Sequence, residues 1–372
     1  MSKYRKKGLE AELEELAIEG ISLIEGHARE NFGISFKIGI ELEGHLVYEG
    51  EPTKKPSAPS SGVFNKFASA KIQSIDDDGK KISRSKPIIE KFMKENGLDK
   101  YEFVTITDTP IKSARRTEVL KVLANEKAPE AGFAEFITDA YVAHKNIHER
   151  IKTAGMHINL SMWRDGKNLI PAETGGYKID PSDMARACCN IEALMLFRDA
   201  LFATEMSEKS DLRYIDGHTN SPQEIGLAEQ KAVRSLRMVT RKGGVAKARI
   251  ENRLPSAEAN AFMATLVTMS AIYLPFEKRA YIKDGRLEMN IGNKDLLDDP
   301  IISIPRIPNQ AVEIFSAENN SFRKFLNELS GGRKLGDKIV EKTLEYAKEK
   351  GFIEEKWADK VKNNSSENNL SI

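Results

Sequence analysis

The chain has 372 residues, 57 Lys and Arg against 56 Asp and Glu, and 40% hydrophobic residues, a composition that excludes a collagen, a fibre or a disordered tail. With a formal net charge of +1 it carries no overall basic field to hold nucleic acid or an anionic membrane. No window approaches the ~18 consecutive apolar residues of a bilayer span, and the start, MSKYRKKGLEAELEELAIEG, is too charged for a secretory leader, so a cytoplasmic protein is expected.

Residues 6–31 carry Leu9, Leu13, Leu16, Ile21, Ile24 and Ala28 at helical spacing among Glu and Lys, which predicts an amphipathic helix. Residues 35–48, SFKIGIELEGHLVY, alternate as a strand with Glu41 and Glu43 on one face. The Pro-, Ser- and Lys-rich stretch 50–62 reads as a mobile loop. Beyond it the pattern alternates: helix over 86–96, strand over 101–107, helix over 113–124, short strand over 133–138, helix over 139–151 and strand over 155–163. That last strand bears His157, Asn159 and Ser161 at alternate positions. One long core helix is expected from Ser182, a plausible N-cap, to about Glu208. Strands follow at 234–241 and 246–254, then an apolar helix over 257–273, and amphipathic helix over 322–360 broken at Gly331 and Gly332. The end, NNSSENNLSI, has too little apolar area to order, so 363–372 is expected to be a disordered tail.

The acids are the informative residues. Glu41, Glu43, Glu135 and His157 sit on predicted strands, and Arg249, Glu251 and Arg253 alternate on another. Each pattern alone is commonly a solvated sheet face. Together, carboxylates crowded into one sheet concavity would repel unless a cation sat among them. Oxygen ligands with one imidazole suit magnesium or manganese better than zinc. Arginines beside them would face phosphate oxygens, as phosphoryl transfer requires.

These residues resemble the glutamine synthetases. IGIELEGHLVYEG looks like that family's Glu-x-Glu metal strand, GMHINLS like its Gly-Met-His strand, and RIENRLPSAEANAFMATLVTMSAIY like its Arg-Ile-Glu-x-Arg segment followed by an apolar helix. The resemblance implies an α+β fold, with a curved, mainly antiparallel sheet and helices on its convex side, as a single catalytic domain over 1–362 with a helical C-terminal part at 318–362. It implies that Glu43, Glu135 and either Glu126 or Glu130 ligate one metal, while Glu41, His157 and Glu251 hold a second at the phosphates of ATP. Arg253 would contact the transferring phosphoryl group or the substrate carboxylate, with Arg234 on the substrate side. Arg249 and Arg237 would contact nucleotide phosphates, and Asn159 and Ser161 would line the nucleotide site.

The implied activity is ATP- and Mg2+- or Mn2+-dependent joining of a glutamate-like carboxylate to an amine or ammonia through an acyl phosphate. Its partners are small-molecule substrates, not nucleic acid or membrane, and homo-oligomer formation stays open. The alternatives are a γ-glutamylcysteine-type ligase or guanidino phosphotransferase on the same fold, or an inactive nucleotide-binding regulator. Four departures accompany the resemblance. Glu41 comes too early for the family's preceding β-grasp domain. The step from Glu135 to His157 is short, Lys152-Thr-Ala-Gly155 replaces Asn-Gly-x-Gly, and Asn159 stands where a second histidine is common.

No Walker-type or Rossmann phosphate loop is present. Gly243-Gly244 reads as a hairpin turn, His144 and His148 as surface or packing residues, Cys188 and Cys189 as small buried residues or spare thiols, and Arg115-Arg116 as solvated charges.

Overall fold

The structure, a computed structural model, describes residues 7–47, 83–87, 98–129, 134–142, 152–169, 186–206, 208–215, 221–228, 234–239, 248–291 and 300–353. The first helix, α1, runs Leu9–Phe32 and buries Leu13, Ala17, Ile21, Ile24 and Ala28, the stripe that its spacing predicts. It stops at Gly33, which is left-handed at φ 66° and returns its N–H to the Arg29 carbonyl.

Next come β1 (Ser35–Val47), β2 (Ser83–Pro87), β3 (Leu98–Thr105), α2 (Pro110–Lys127), β4 (Glu135–Ile137), β5 (Met156–Arg164) and β6 (Lys167–Asn168). The middle of the chain forms α3 (Ile191–Asp199), α4 (Leu201–Thr204), α5 (Glu208–Ile215), β7 (Glu224–Ala228), β8 (Arg234–Val239) and β9 (Arg249–Asn252). The last third holds α6 (Ala261–Glu277), a hairpin of β10 (Ala280–Lys283) and β11 (Arg286–Met289), β12 (Ile302–Ser303), α7 (Asn309–Ser316), α8 (Ser321–Ser330) and α9 (Leu335–Glu349).

Among the described residues one sheet has the order β12-β7-β8-β9-β5-β1-β3-β2, with β4 beside β1 and β6 beside β5. Every pair is antiparallel except β7–β8. The sheet is therefore mixed and mostly antiparallel, with helices packed against it.

Strand alternation decides which face does what. Ile38, Ile40 and Leu42 of β1, Ile158 and Leu160 of β5 and Ile250 of β9 are fully buried, and they face the helical side, where α6 contacts β5 and α2 contacts β1. Helix α6 is buried throughout from Ala261 to Phe276 and is started by Asn260, whose Oδ1 accepts from the N–H groups of Phe262 and Met263. It runs close to α1: a Cβ on Gly20 would lie 2.8 Å from Leu266 Cδ1, so glycine sets that approach. No described helix is long and apolar enough to cross a membrane.

Three helix expectations change. Residues 86 and 87 belong to β2, and 88–96 lie outside the described residues. Where a helix is expected from 139, Tyr141 instead bridges Thr153, and the Ala140 N–H is taken by the Glu258 carboxylate at 2.9 Å; 143–151 lie outside. The single long helix is broken. Its apolar spacing continues across the breaks because each piece faces one core, but Asn190 caps a new start by accepting from the Glu192 and Ala193 N–H groups, and Ala200 and Glu205 leave helical geometry. The expected N-cap Ser182 lies outside the described residues, as do the 50–62 loop, Gly243-Gly244, His144, His148 and the 363–372 tail. Arg116 is not solvated: it is buried against Asp108 at 2.9 Å. Cys188 and Cys189 are buried, and burial pushes the Cys188 thiol up to about 12, far from a reactive thiolate.

Candidate active site

The register assembles one polar row across four strands. Glu41 of β1 stands opposite His157 of β5, and Gly39 opposite Asn159. Asn159 in turn stands opposite Glu251 of β9, and Glu251 opposite Arg237 of β8. Residues directly across a sheet share a face, so these side chains project from the side away from the helical core. Arg249, which opens β9, and Arg253, the first residue past its end, flank Glu251 two residues to either side.

At the centre, Glu41, His157 and Glu251 each offer one ligand atom, all within 4.8 Å of one another. His157 Nδ1 is 3.5 Å from Glu41 Oε2 and 3.6 Å from Glu251 Oε1. A single ring nitrogen placed between two carboxylates can offer at most one proton to both. Three guanidiniums surround this group. Arg237 donates to Glu251 from Nε at 2.9 Å and also from Nη2; Arg253 Nε is 3.6 Å from Glu251 Oε1; Arg249 Nη2 is 3.7 Å from Glu41 Oε1. Glu251 is 1% exposed, so these arginines stand in for water around a buried charge. Burial lowers the Arg253 guanidinium from its usual range, Glu251 and Glu43 draw it back up, and Arg237 and Arg213 push it down.

The other expected site residues divide. Asn159 accepts from Arg249 Nε at 2.5 Å, orienting that guanidinium. Ser161 accepts from the Trp163 indole at 2.9 Å, further along the same face. Glu43 shares the face of Glu41, and its carboxylate accepts from the Gly155 N–H at 2.8 Å. Glu135 is exposed, opposite Val47 of β1, four residues and therefore about 13 Å of strand from the Glu43 row. Glu126 is exposed near the end of α2 and Glu130 lies outside the described residues. Among the described residues the structure thus brings together the Glu41 set and does not gather Glu43, Glu126 and Glu135. Arg234 opens β8, where the register with β7 shifts, and it donates to the Leu227 carbonyl at 2.6 Å.

Three further residues bear on the site without having stood out in the sequence. Glu102 of β3 is buried directly opposite Glu43; the signal was the alternation in YEFVTIT, once Phe103 is assigned to the core. Arg213 and Glu205 lie beside the backbone that follows β9. Arg213 is 2% exposed and donates to the carbonyls of Arg253, at 3.0 Å, and of Leu254. Glu205 is 3.5 Å from Arg213 and accepts from the Ser256 N–H. Burial raises the Glu205 carboxyl to about 7, against the opposing pull of Arg213. Nothing local in the sequence announces this pair, because Arg213 on α5 and Glu205 just past α4 are far from the motifs in sequence.

Two carboxylates and an imidazole with mutually close donor atoms suit a hard divalent cation of the magnesium or manganese type. The surrounding arginines could then hold anionic oxygens bridged by that cation.

The family model described as glutamine synthetase, catalytic domain, matches residues 27–349. The matched stretch contains every residue of this face. No curated protein matches the chain.

Proposed function

Because the chain belongs to the glutamine synthetase catalytic-domain family, a family of ligases, we propose that it uses ATP to activate a glutamate-like carboxylate and joins it to an amine or to ammonia. The observation that carries this reading is the convergence of Glu41, His157 and Glu251 within 4.8 Å, inside an arc of Arg237, Arg249 and Arg253.

The chemistry explains the residue types. A carboxylate oxygen attacks the γ-phosphorus, ADP leaves, and an acyl phosphate forms; an amine then attacks the acyl carbon, loses a proton and displaces inorganic phosphate. The first step brings two anions together, and bare repulsion would keep them apart. A Mg2+ or Mn2+ held by Glu41, His157 and Glu251 would supply charge neutralisation and phosphate alignment. Arg249, oriented by Asn159, is placed to hold nucleotide phosphate. Arg237 and Arg253, which pair with Glu251 in the present structure, can turn to anionic oxygens when a cation takes over the carboxylate. Arg253 lies between Glu251 and Glu43 in its electrostatic surroundings, which suits it to the transferring phosphoryl group. Glu43 lies beside it, toward the end of the face where the acceptor carboxylate would sit, and Glu135 and Glu126 would join it only through a rearrangement. Ser161 would line the nucleotide on the other side of the central group.

Phosphate release measured with ATP, magnesium and glutamate, across a panel of amines, tests the proposal. Release that depends on both an acid and an amine supports it. ATP binding with no stimulation by any pair would instead mark a nucleotide-binding protein without turnover.

A further inference from the structure

We propose that Arg213 is the positioning residue for Arg253, acting through the backbone just past the end of β9; the inference rests on the ligase reading for its kinetic consequences but not for its structural ones. Strand β9 ends at Asn252, paired with Leu236 on one side and Ile158 on the other. Arg253 is the first residue past the ladder. Its N–H still reaches the Ser235 carbonyl at 2.8 Å, but the register with β5 shifts here by one residue, from Ile158 opposite Asn252 to Gly155 bridged with Ser256. Buried carbonyls without partners are costly. Arg213 fills this gap with one side chain: Nη2 donates to the Arg253 carbonyl at 3.0 Å, and Nη1 donates to the Leu254 carbonyl. Tyr214 hydroxyl donates to the same Leu254 carbonyl.

Pairing with the start of β5 and the residues before it resumes beyond this point. Met156 N–H donates to the Pro255 carbonyl at 2.8 Å, and Ala257 N–H to the Ala154 carbonyl at 3.1 Å. Arg213 therefore spans a bulge between two stretches of paired backbone, and Arg253 sits at the start of that bulge. The guanidinium meets the two successive carbonyls from two nitrogens held in a fixed planar fork, whereas an ammonium would have to reach both from one freely rotating nitrogen.

Gly155 makes room for the fork. A Cβ there would lie 2.8 Å from Arg213 Nη2 and 3.5 Å from Glu43 Oε2, and the backbone of Gly155 exchanges hydrogen bonds with Glu43. The guanidinium thus touches the backbone that carries Arg253 and the residue that holds Glu43. Glu205 places a carboxyl 3.5 Å from the same buried guanidinium.

The test uses Arg213→Lys, Arg253→Lys and the double variant of the full chain. Hydrogen exchange over 253–257 should be at least tenfold faster in Arg213→Lys, while exchange in the Glu41 segment of β1 stays as in the unaltered protein. In ATP-dependent turnover, kcat of Arg213→Lys should fall at least tenfold with the KM for ATP changed less than threefold. The double variant should be no worse than Arg253→Lys alone, because residues that act as a unit are not additive. Unchanged exchange over 253–257 overturns the proposal whether or not the protein turns over. So do losses that multiply in the double variant, or a loss of ATP affinity equal to the loss of kcat. Absence of turnover in the unaltered protein would overturn the ligase reading and leave the exchange result to decide this one.

Discussion

Glu41 and His157 face each other in register across β1 and β5, with Oε2 and Nδ1 3.5 Å apart. The spacing is longer than a good hydrogen bond and fits two ligands aimed at a shared point. Manganese bound here should therefore show nitrogen coupling from one imidazole in its electron spin echo signal. His157→Gln should abolish that coupling. Persistence of the coupling in the variant would place the ion elsewhere.

Arg237 donates twice to the buried Glu251. Arg237→Ala leaves that carboxylate short of partners until a cation arrives. The variant should be about 2 kcal/mol less stable without metal, and manganese should raise its melting temperature by more than it raises that of the unaltered protein. Equal metal-induced rises would show that Arg237 and the ion do not share Glu251.

Glu205 has its carboxyl raised to about 7 by burial, above its value in the unfolded chain. Between about pH 4.5 and 7 the folded state binds more protons at this site than the unfolded state does. Its contribution is complete below the unfolded value and is lost as pH rises through about 7, a change on the order of 3 kcal/mol. Melting temperatures from pH 5 to 8 should fall across that window, and the fall should be smaller in Glu205→Gln. An identical slope in the two proteins would contradict the assignment.

A methyl group at Gly155 would meet Arg213, whose guanidinium is already fixed by the carbonyls of Arg253 and Leu254. Gly155→Ala should lower stability by about 2 kcal/mol, within the usual range for overpacking. A chemical denaturation midpoint equal to that of the unaltered protein would mean that Arg213 can yield freely.

Much of the central face was legible in the sequence because strand alternation is a short-range signal. Glu41, His157 and Glu251 stood at alternate positions of three predicted strands, and the register brings them together. The Glu43 group was less legible: Glu126 and Glu135 depend on how α2 turns into β4, and a turn moves a side chain by a whole row. Arg234 shows the limit of proximity in sequence: the β7–β8 register shifts beside it, and its guanidinium donates to the Leu227 carbonyl. The helix expected from Ser182 read as continuous because apolar periodicity reports the core and not the caps, while Asn190 breaks it with two hydrogen bonds. Arg213 was illegible because its role comes from where β9 ends, a fact of tertiary structure.

The most direct measurement is calorimetric titration of a non-hydrolysable ATP analogue in the presence of manganese into the unaltered protein and Glu251→Gln, with a substitution of the exposed Glu313 as control. The unaltered protein and the Glu313 variant should bind alike. Glu251→Gln should bind at least about 100-fold more weakly, beyond the 10- to 100-fold typical of residues outside the ligand shell. Equal affinity in all three, or binding that does not depend on the metal, would contradict a metal and nucleotide site built on Glu41, His157 and Glu251.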